Sequence, residues 1–217
     1  YCSQFVSDDE ATAALLAGLD GKPLADPRPI RFTTGMRKQA WNKNVVAVGL
    51  SSGFLEPLES TSIHLIQSTV AQIIEFFPDE GFNATDIAEF NRQNRFHFER
   101  IRDFIILHYH LNQRSDSPFW QACAAMSIPD SLREKLALFK ARGRVVRTDD
   151  ELFSEVGWQQ VMQGQNLVPD SYHPLVDLQP EDEIHAYLES VREVIGKCVD
   201  VMPRHADYIA EHCPAPR

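Results

Sequence analysis

The chain lacks any apolar run near the ~20 residues that a membrane-spanning helix needs. It also lacks an excess of positive charge: with a net charge of −10, it has no electrostatic footprint for gripping a nucleic-acid backbone. Its four cysteines, Cys2, Cys123, Cys198 and Cys213, form neither a close pair of metal-binding spacing nor a dense disulfide pattern, so free thiols in a reducing cytoplasm are the expectation. There is no internal repeat and no low-complexity segment. No Gly-x-Gly-x-x-Gly opens a βαβ unit, so the fingerprint that would hold a dinucleotide pyrophosphate is absent. What remains, 43% apolar and 24% charged over 217 residues, is the composition of a folded globular body with enough chain for one sizeable core or two small ones.

The stretch richest in chemistry is Ser52-Gly53-Phe54-Leu55-Glu56-Pro57-Leu58-Glu59-Ser60-Thr61-Ser62-Ile63. The apolar, β-branched run Val45 to Leu50 before it reads as a short buried strand. Ile63, Ile66, Val70, Ile73 and Phe77 after it follow helical spacing until Pro78 stops the helix. A carboxylate therefore stands directly before a hydroxyl-rich helix start. Unpaired N–H groups and the positive end of the helix dipole make Thr61 and Ser62 a candidate anion seat. The plainer alternative is that Ser60, Thr61 and Ser62 cap the helix.

Elsewhere, Ser7-Asp8-Asp9-Glu10 is a capping-box signature for a helix that would carry Ala11, Ala14, Leu15 and Leu19 inward and end near Gly21. Ile30 to Thr33 reads as a strand, turned by Gly35. From Thr61 onward the pattern is mostly helical: a long helix from Thr85 to Leu111, one opened by Asp116 or Ser117 with Pro118, one from Pro129-Asp130 to Gly143, and a final one after Pro180 broken at Pro203. Residues 144–178 suggest an extended loop. His108 and His110 fall on different helix faces and read as ordinary histidines, and Lys140, Arg142, Arg144 and Arg147 as a solvated helix end. Phe119, Trp120 and Trp158 can either wall a planar substrate or pack a core.

Trp41-Asn42-Lys43-Asn44 followed by Gly49-Leu50-Ser51-Ser52-Gly53-Phe54-Leu55-Glu56-Pro57-Leu58-Glu59-Ser60-Thr61 closely resembles flavin-dependent tryptophan halogenases. So do Phe5 to Glu10, Asp116 to Trp120, Gly157-Trp158 and Tyr172 to Leu175, so the resemblance covers most of the chain. It implies an α+β fold: the closing part of a flavin-monooxygenase-like domain over 1–60, with short strands, and a mainly helical substrate-side subdomain over 61–217. It implies an enzyme in which reduced FAD, supplied by a separate flavin reductase, reacts with oxygen and chloride or bromide to give hypohalous acid that halogenates an electron-rich, indole-type substrate. By the same resemblance Glu59 is the catalytic carboxylate, Thr61 and Ser62 form the halide seat, and Leu50 and Ile63 touch the flavin.

The pattern also departs from the family. Many members carry glycine where Ser62 stands, although a backbone N–H survives that change. The Trp-x-Trp-x-Ile-Pro motif is missing with the dinucleotide fingerprint, and the family's active-site lysine belongs to that same half, so neither Lys38 nor Lys43 takes its role. Tyr1-Cys2-Ser3 starts inside what resembles a strand; the expectation is a carboxy-terminal portion whose partner is a missing amino-terminal half, and which alone neither binds FAD tightly nor halogenates. Where tryptophan-specific members carry Asn-Tyr-Tyr, the chain reads Glu155 to Met162, which makes free tryptophan doubtful and leaves indole, another arene or an indole inside a larger molecule open. Two other readings stand beside this one: a helical interaction or substrate-holding module without flavin chemistry, and a flavin monooxygenase that hydroxylates without halide. A homodimer is also left open; no membrane, nucleic acid or metal is expected.

Overall fold

Ser7 opens the first helix, α1 (Asp8–Ala17), with both halves of its capping box formed: its side chain accepts from the Glu10 N–H, and Glu10 reaches back to the Ser7 N–H at 2.8 Å. The computed structural model describes residues 1–214, in two compact units, Tyr1–Ser171 and Tyr172–Arg217. α1 stops at Gly18 rather than Gly21, and Ala14, Leu15 and Leu19 are exposed, not inward as their spacing predicts. Tyr1 to Ser3 form no strand, and neither does Ile30 to Thr33, whose Ile30 and Phe32 lie open to solvent.

Among the described residues the strands are four of two residues each: β1 (Gly35–Met36), β2 (Trp41–Asn42), β3 (Val45–Val46) and β4 (Gly53–Phe54). β1 pairs antiparallel with β4, and β2 with β3. The strand expected over Val45 to Leu50 is thus only two residues long and half-exposed, because Gly49 enters the left-handed region at φ 64° and turns the chain into a 3-10 turn over Gly49–Ser51. Gly53 has a steric reason to be glycine: a Cβ there would sit 2.8 Å from the Gly35 carbonyl oxygen and 2.9 Å from the Phe98 ring. The β-ribbon is clamped to the helices by Asn91, whose amide accepts from the Trp41 N–H and donates to the Trp41 C=O, both at 2.9 Å.

The helices of the first unit are α2 (Ser62–Glu75), α3 (Ala84–His110), α4 (Pro118–Ala125), α5 (Asp130–Arg142) and α6 (Glu155–Gly164). α3 is the spine, in contact with α2, β2, α4, α5 and α6. It buries Phe90, Phe98, Ile101, Phe104, Ile105 and Leu107 as the expected stripe drifts around its long axis. Phe104 and Leu107 join Leu132, Phe139, Trp158 and Met162 in one cluster, while Leu65 joins Phe98, Ile101 and Ile105 in a second. Of Asp116 and Ser117, it is Ser117 that caps α4 before Pro118, and Gly143 at φ 65° ends α5 as its position predicts. The segment expected as loop contains α6, capped by Ser154, and a 3-10 turn over Pro174–Leu178.

α2 forms where the spacing predicts, before Pro78. Its buried residues are Leu65, Thr69 and Gln72, and of the regularly spaced apolar residues, Ile63, Ile66, Val70 and Phe77 are exposed; only Ile73 packs, against the Trp41–Phe90 cluster. The reason is that α2 meets α3 through a polar seam. Thr69 Oγ1 donates to the Leu65 carbonyl at 2.7 Å and accepts from Asn94 at 3.2 Å, and Gln72 donates to Gln93 at 3.2 Å. Polar side chains that pair across a seam can fill an interface that hydrophobic periodicity assigns to the other side. In the second unit, α7 (Glu181–Val201) and α8 (His205–His212) flank Pro203, and the Glu181, Asp182 and Glu183 carboxylates sit at the positive end of α7.

Candidate active site

Leaving β4, the chain folds tightly toward α2. Glu56 Oε1 accepts the Leu58 N–H at 3.1 Å, Leu58–Ser60 make a 3-10 turn, and the Ser60 N–H donates to the Pro57 carbonyl at 2.9 Å. Inside this turn Glu59 and Ser60 both occupy the left-handed region, at φ 68° and 52°. A non-glycine residue there costs on the order of 1–3 kcal/mol, and such strain persists where surrounding contacts over-determine the conformation.

Thr61, which heads α2, is buried, and its carbonyl accepts the Leu65 N–H at 3.0 Å. Neither it nor its neighbours cap the helix with a side chain, so the capping reading of Ser60 to Ser62 is not what forms. The first-turn N–H groups keep their capacity for an acceptor, with the dipole's positive end behind them. Ser62 and Ile63 follow at the surface. Leu50 is 78% exposed in the 3-10 turn after Gly49, and that turn rests on α2, where a Cβ on Gly49 would lie 3.3 Å from the Ile66 side chain. The structure thus brings Leu50's turn and the segment Glu59 to Ile63 to one end of α2.

The Glu59 side chain is 37% exposed, and its Oε1 lies 3.1 Å from Nε2 of His108, a histidine whose own side chain is 18% exposed. His108 is held from the other side: Nδ1 is 2.8 Å from the Phe104 carbonyl, and the imidazole packs edge-on to the Phe104 ring at 4.9 Å. Its expected status as an ordinary helix histidine is therefore incomplete. No spacing rule could reveal the contact, because Glu59 and His108 are far apart in sequence and meet only when α3 passes the turn.

Beside this pair stands Tyr109, its hydroxyl pushed above the usual tyrosine range by burial first and by the Glu56 carboxylate second. It stacks on Trp120 with ring centres 6.0 Å apart, and Phe119 meets both rings edge-on. Phe119 and Trp120 form a half-buried aromatic cluster near the site, whereas Trp158 does not: it is 1% exposed, inside the core. Two members of the basic cluster are committed elsewhere. Lys140 holds the Val168 carbonyl and Asp170, and Arg147 holds the Glu151 carbonyl. Among the described residues no group of three or more His, Cys, Asp or Glu side chains could hold a metal ion, and no helix is long and apolar enough to cross a membrane.

The tryptophan halogenase family model matches residues 1–181. The chain is 32% identical to tryptophan 7-halogenase RebH of Lentzea aerocolonigenes, over 92% of the chain and 40% of that protein. Among solved structures, Xcc4156, a flavin-dependent halogenase from Xanthomonas campestris, superposes with a TM-score of 0.92 at 45% identity, covering 100% of this chain and 44% of that one. BrvH, a flavin-dependent halogenase from Brevundimonas sp. BAL3, superposes with a TM-score of 0.91 at the same identity, over 99% of this chain and 44% of its own. The chain spans about 40% of the length of the relatives it matches. With α+β architecture, a carboxylate turn at the head of α2 and a family match over most of its length, the chain belongs to the tryptophan halogenase family.

Proposed function

We propose that the protein of which these residues are part is a flavin-dependent halogenase of electron-rich, indole-type substrates, and that Glu59 is its catalytic carboxylate. The observation that carries the reading is the strained turn that fixes Glu59 two residues before Thr61, at the side-chain-uncapped head of α2. Electrophilic halogenation of an aromatic ring passes through a cationic intermediate that must lose a proton. A carboxylate at the reacting carbon both stabilises that charge and accepts the proton. The first-turn N–H groups at Thr61 and Ser62 suit a halide, since a helix start attracts anions.

Leu50 and Ile63 would hold the flavin ring: both are exposed apolar side chains, 78% and 69% open, beside that helix start. Bound reduced FAD would supply, with oxygen and halide, the hypohalous acid that the ring attacks. The pyrophosphate grip is not among these residues, because the glycine fingerprint is absent. The exposed stripe Ile63, Ile66, Val70 and Phe77 on α2 supports packing against a further, amino-terminal part of the protein. We place the protein in the cytoplasm, and derive its reduced flavin from a separate reductase.

The test uses the full-length protein with a flavin reductase, FAD, NADH and either bromide or chloride, against a panel of indoles. Glu59→Gln keeps the shape and removes the negative charge and the proton acceptor, so halogenation should fall about 100 to 1000-fold, equivalent to ~2.7–4 kcal/mol, with FAD affinity unchanged. Glu56→Gln is the internal control, because its carbonyl can still accept the Leu58 N–H. Near-wild-type halogenation by Glu59→Gln, or a hydroxylated product formed equally well without halide, overturns the assignment.

A further inference from the structure

The structure assigns His108 as the positioning residue of the site: an imidazolium whose Nε2–H holds Oε1 of Glu59 and leaves Oε2 as the acceptor for the ring proton. The inference rests on Glu59 being the catalytic carboxylate.

The assignment follows from counting protons at the histidine. The Phe104 carbonyl only accepts, so Nδ1, 2.8 Å away, carries a hydrogen. A neutral imidazole protonated there offers a bare lone pair on Nε2, and that lone pair would face the lone pairs of a carboxylate oxygen at 3.1 Å. Lone pair against lone pair repels; a proton between the two atoms turns the contact into a charge-assisted attraction. A hydrogen on Nε2 as well as on Nδ1 gives each ring nitrogen a donor for the acceptor it faces. The main-chain carbonyl beneath His108 thus selects its hydrogen-bonding pattern, as a backbone acceptor behind a functional histidine commonly does.

Three further observations give the contact work to do. Glu59 has a long, rotatable side chain on a left-handed backbone, and no other ion pair holds its carboxylate among the described residues. His108 cannot itself swing, because it is pinned by the Phe104 carbonyl and packed against the Phe104 ring, which is stacked on Phe153 with centres 3.7 Å apart. The carboxylate also keeps a way out for its proton, since it is 37% exposed while the imidazole is 18% exposed.

The proton count then closes over one turnover. The ring C–H bond breaks and its electron pair returns to the aromatic system; the proton arrives on Glu59 Oε2. This leaves a neutral carboxyl beside the imidazolium, and loss of that proton to solvent restores the starting pair. His108 touches neither ring nor halide; it acts through Glu59.

Two measurements on the full-length protein test this. In the first, side-chain nitrogen chemical shifts of 15N-labelled histidine report which ring nitrogens carry protons. Wild-type His108 is expected to show protons on both at neutral pH, and Glu59→Gln is expected to return Nε2 to the unprotonated form. Identical His108 signals in the two proteins would overturn the proposal, and this readout needs no halogenation. In the second, His108→Phe is expected to lower halogenation roughly 10- to 100-fold, the range seen when a partner that orients a metal-ligating side chain is removed, with flavin oxidation unchanged. Introduced into Glu59→Gln, the same substitution should cost nothing more, because both act through one carboxylate. An equal further loss in the Glu59→Gln background would show a merely structural role and overturn the proposal. If the protein halogenates no substrate, the functional reading fails while the nitrogen shifts still decide the pairing.

Discussion

Replacing Gly53 by alanine should destabilise the turn that carries the site, by an amount set by three distances. The added Cβ would lie 2.8 Å from the Gly35 carbonyl oxygen, 2.9 Å from Phe98 Cε1 and 3.0 Å from Met36 Cα. All three are inside the ~3.5 Å of favourable contact. Two of them are backbone atoms of β1, the strand to which β4 is paired, and the third belongs to a ring 2% exposed in the core. Relief therefore requires β1 and β4 to part or Phe98 to leave its place. Overpacking of this kind costs about 1–3 kcal/mol, and the stiffer unfolded chain returns about 0.4–1 kcal/mol, so the net loss should be roughly 1–2 kcal/mol. Because β1 and β4 are paired over only two residues, the ladder has no length over which to spread the shift. Urea unfolding of the full-length protein, with Gly21→Ala as control, measures it: nothing lies within 4 Å of a Cβ at Gly21. A Gly53→Ala midpoint equal to that of Gly21→Ala would refute the steric argument.

Lys135→Met should cost about 3–5 kcal/mol, because it strips the partner from Glu151, a carboxylate 1% exposed and 3.3 Å from the ammonium. The double variant Lys135→Met/Glu151→Leu should lose less than the single one, and urea midpoints would reveal the opposite order if the pair were dispensable. His97 is held below the usual histidine range chiefly by burial, with His64 adding to the shift and Asp150 opposing it. The unfolded chain therefore binds the extra proton first, so stability should fall as pH drops below about 6.5, and His97→Gln should flatten that slope; unchanged midpoints from about pH 7.5 to about 5.5 would count against it. Burial also pushes the Cys123 thiol up, so iodoacetamide should modify Cys123 only as the protein unfolds, which peptide mapping after timed alkylation would check.

Most of the helical half was legible because its signals are local. The capping box at Ser7 and Glu10, Ser117 before Pro118, and Gly143 at the end of α5 each concern groups within a few residues of one another. The loop expected between Arg144 and Leu178 hid α6, since Gly164 and Pro169 read as breakers throughout although they lie only at its end and beyond it. The inward face of α2 was not legible for a different reason: Thr69 and Gln72 look like solvent residues until Asn94 and Gln93 are seen to pair with them.

The sequence by itself determined the family, the order of the helices and their caps, and the block from Gly49 to Ser62 in which a carboxylate precedes a helix start. The tertiary structure alone decided what Glu59 faces and how it is held. Left-handed dihedrals at Glu59 and Ser60 in consecutive non-glycine residues leave no mark in composition, and the meeting of Glu59 with His108 depends on α3 crossing the turn. Local signals fix what a segment can form; which groups converge depends on long-range packing, where hydrophobic spacing cannot distinguish a core face from one that a polar seam leaves outside.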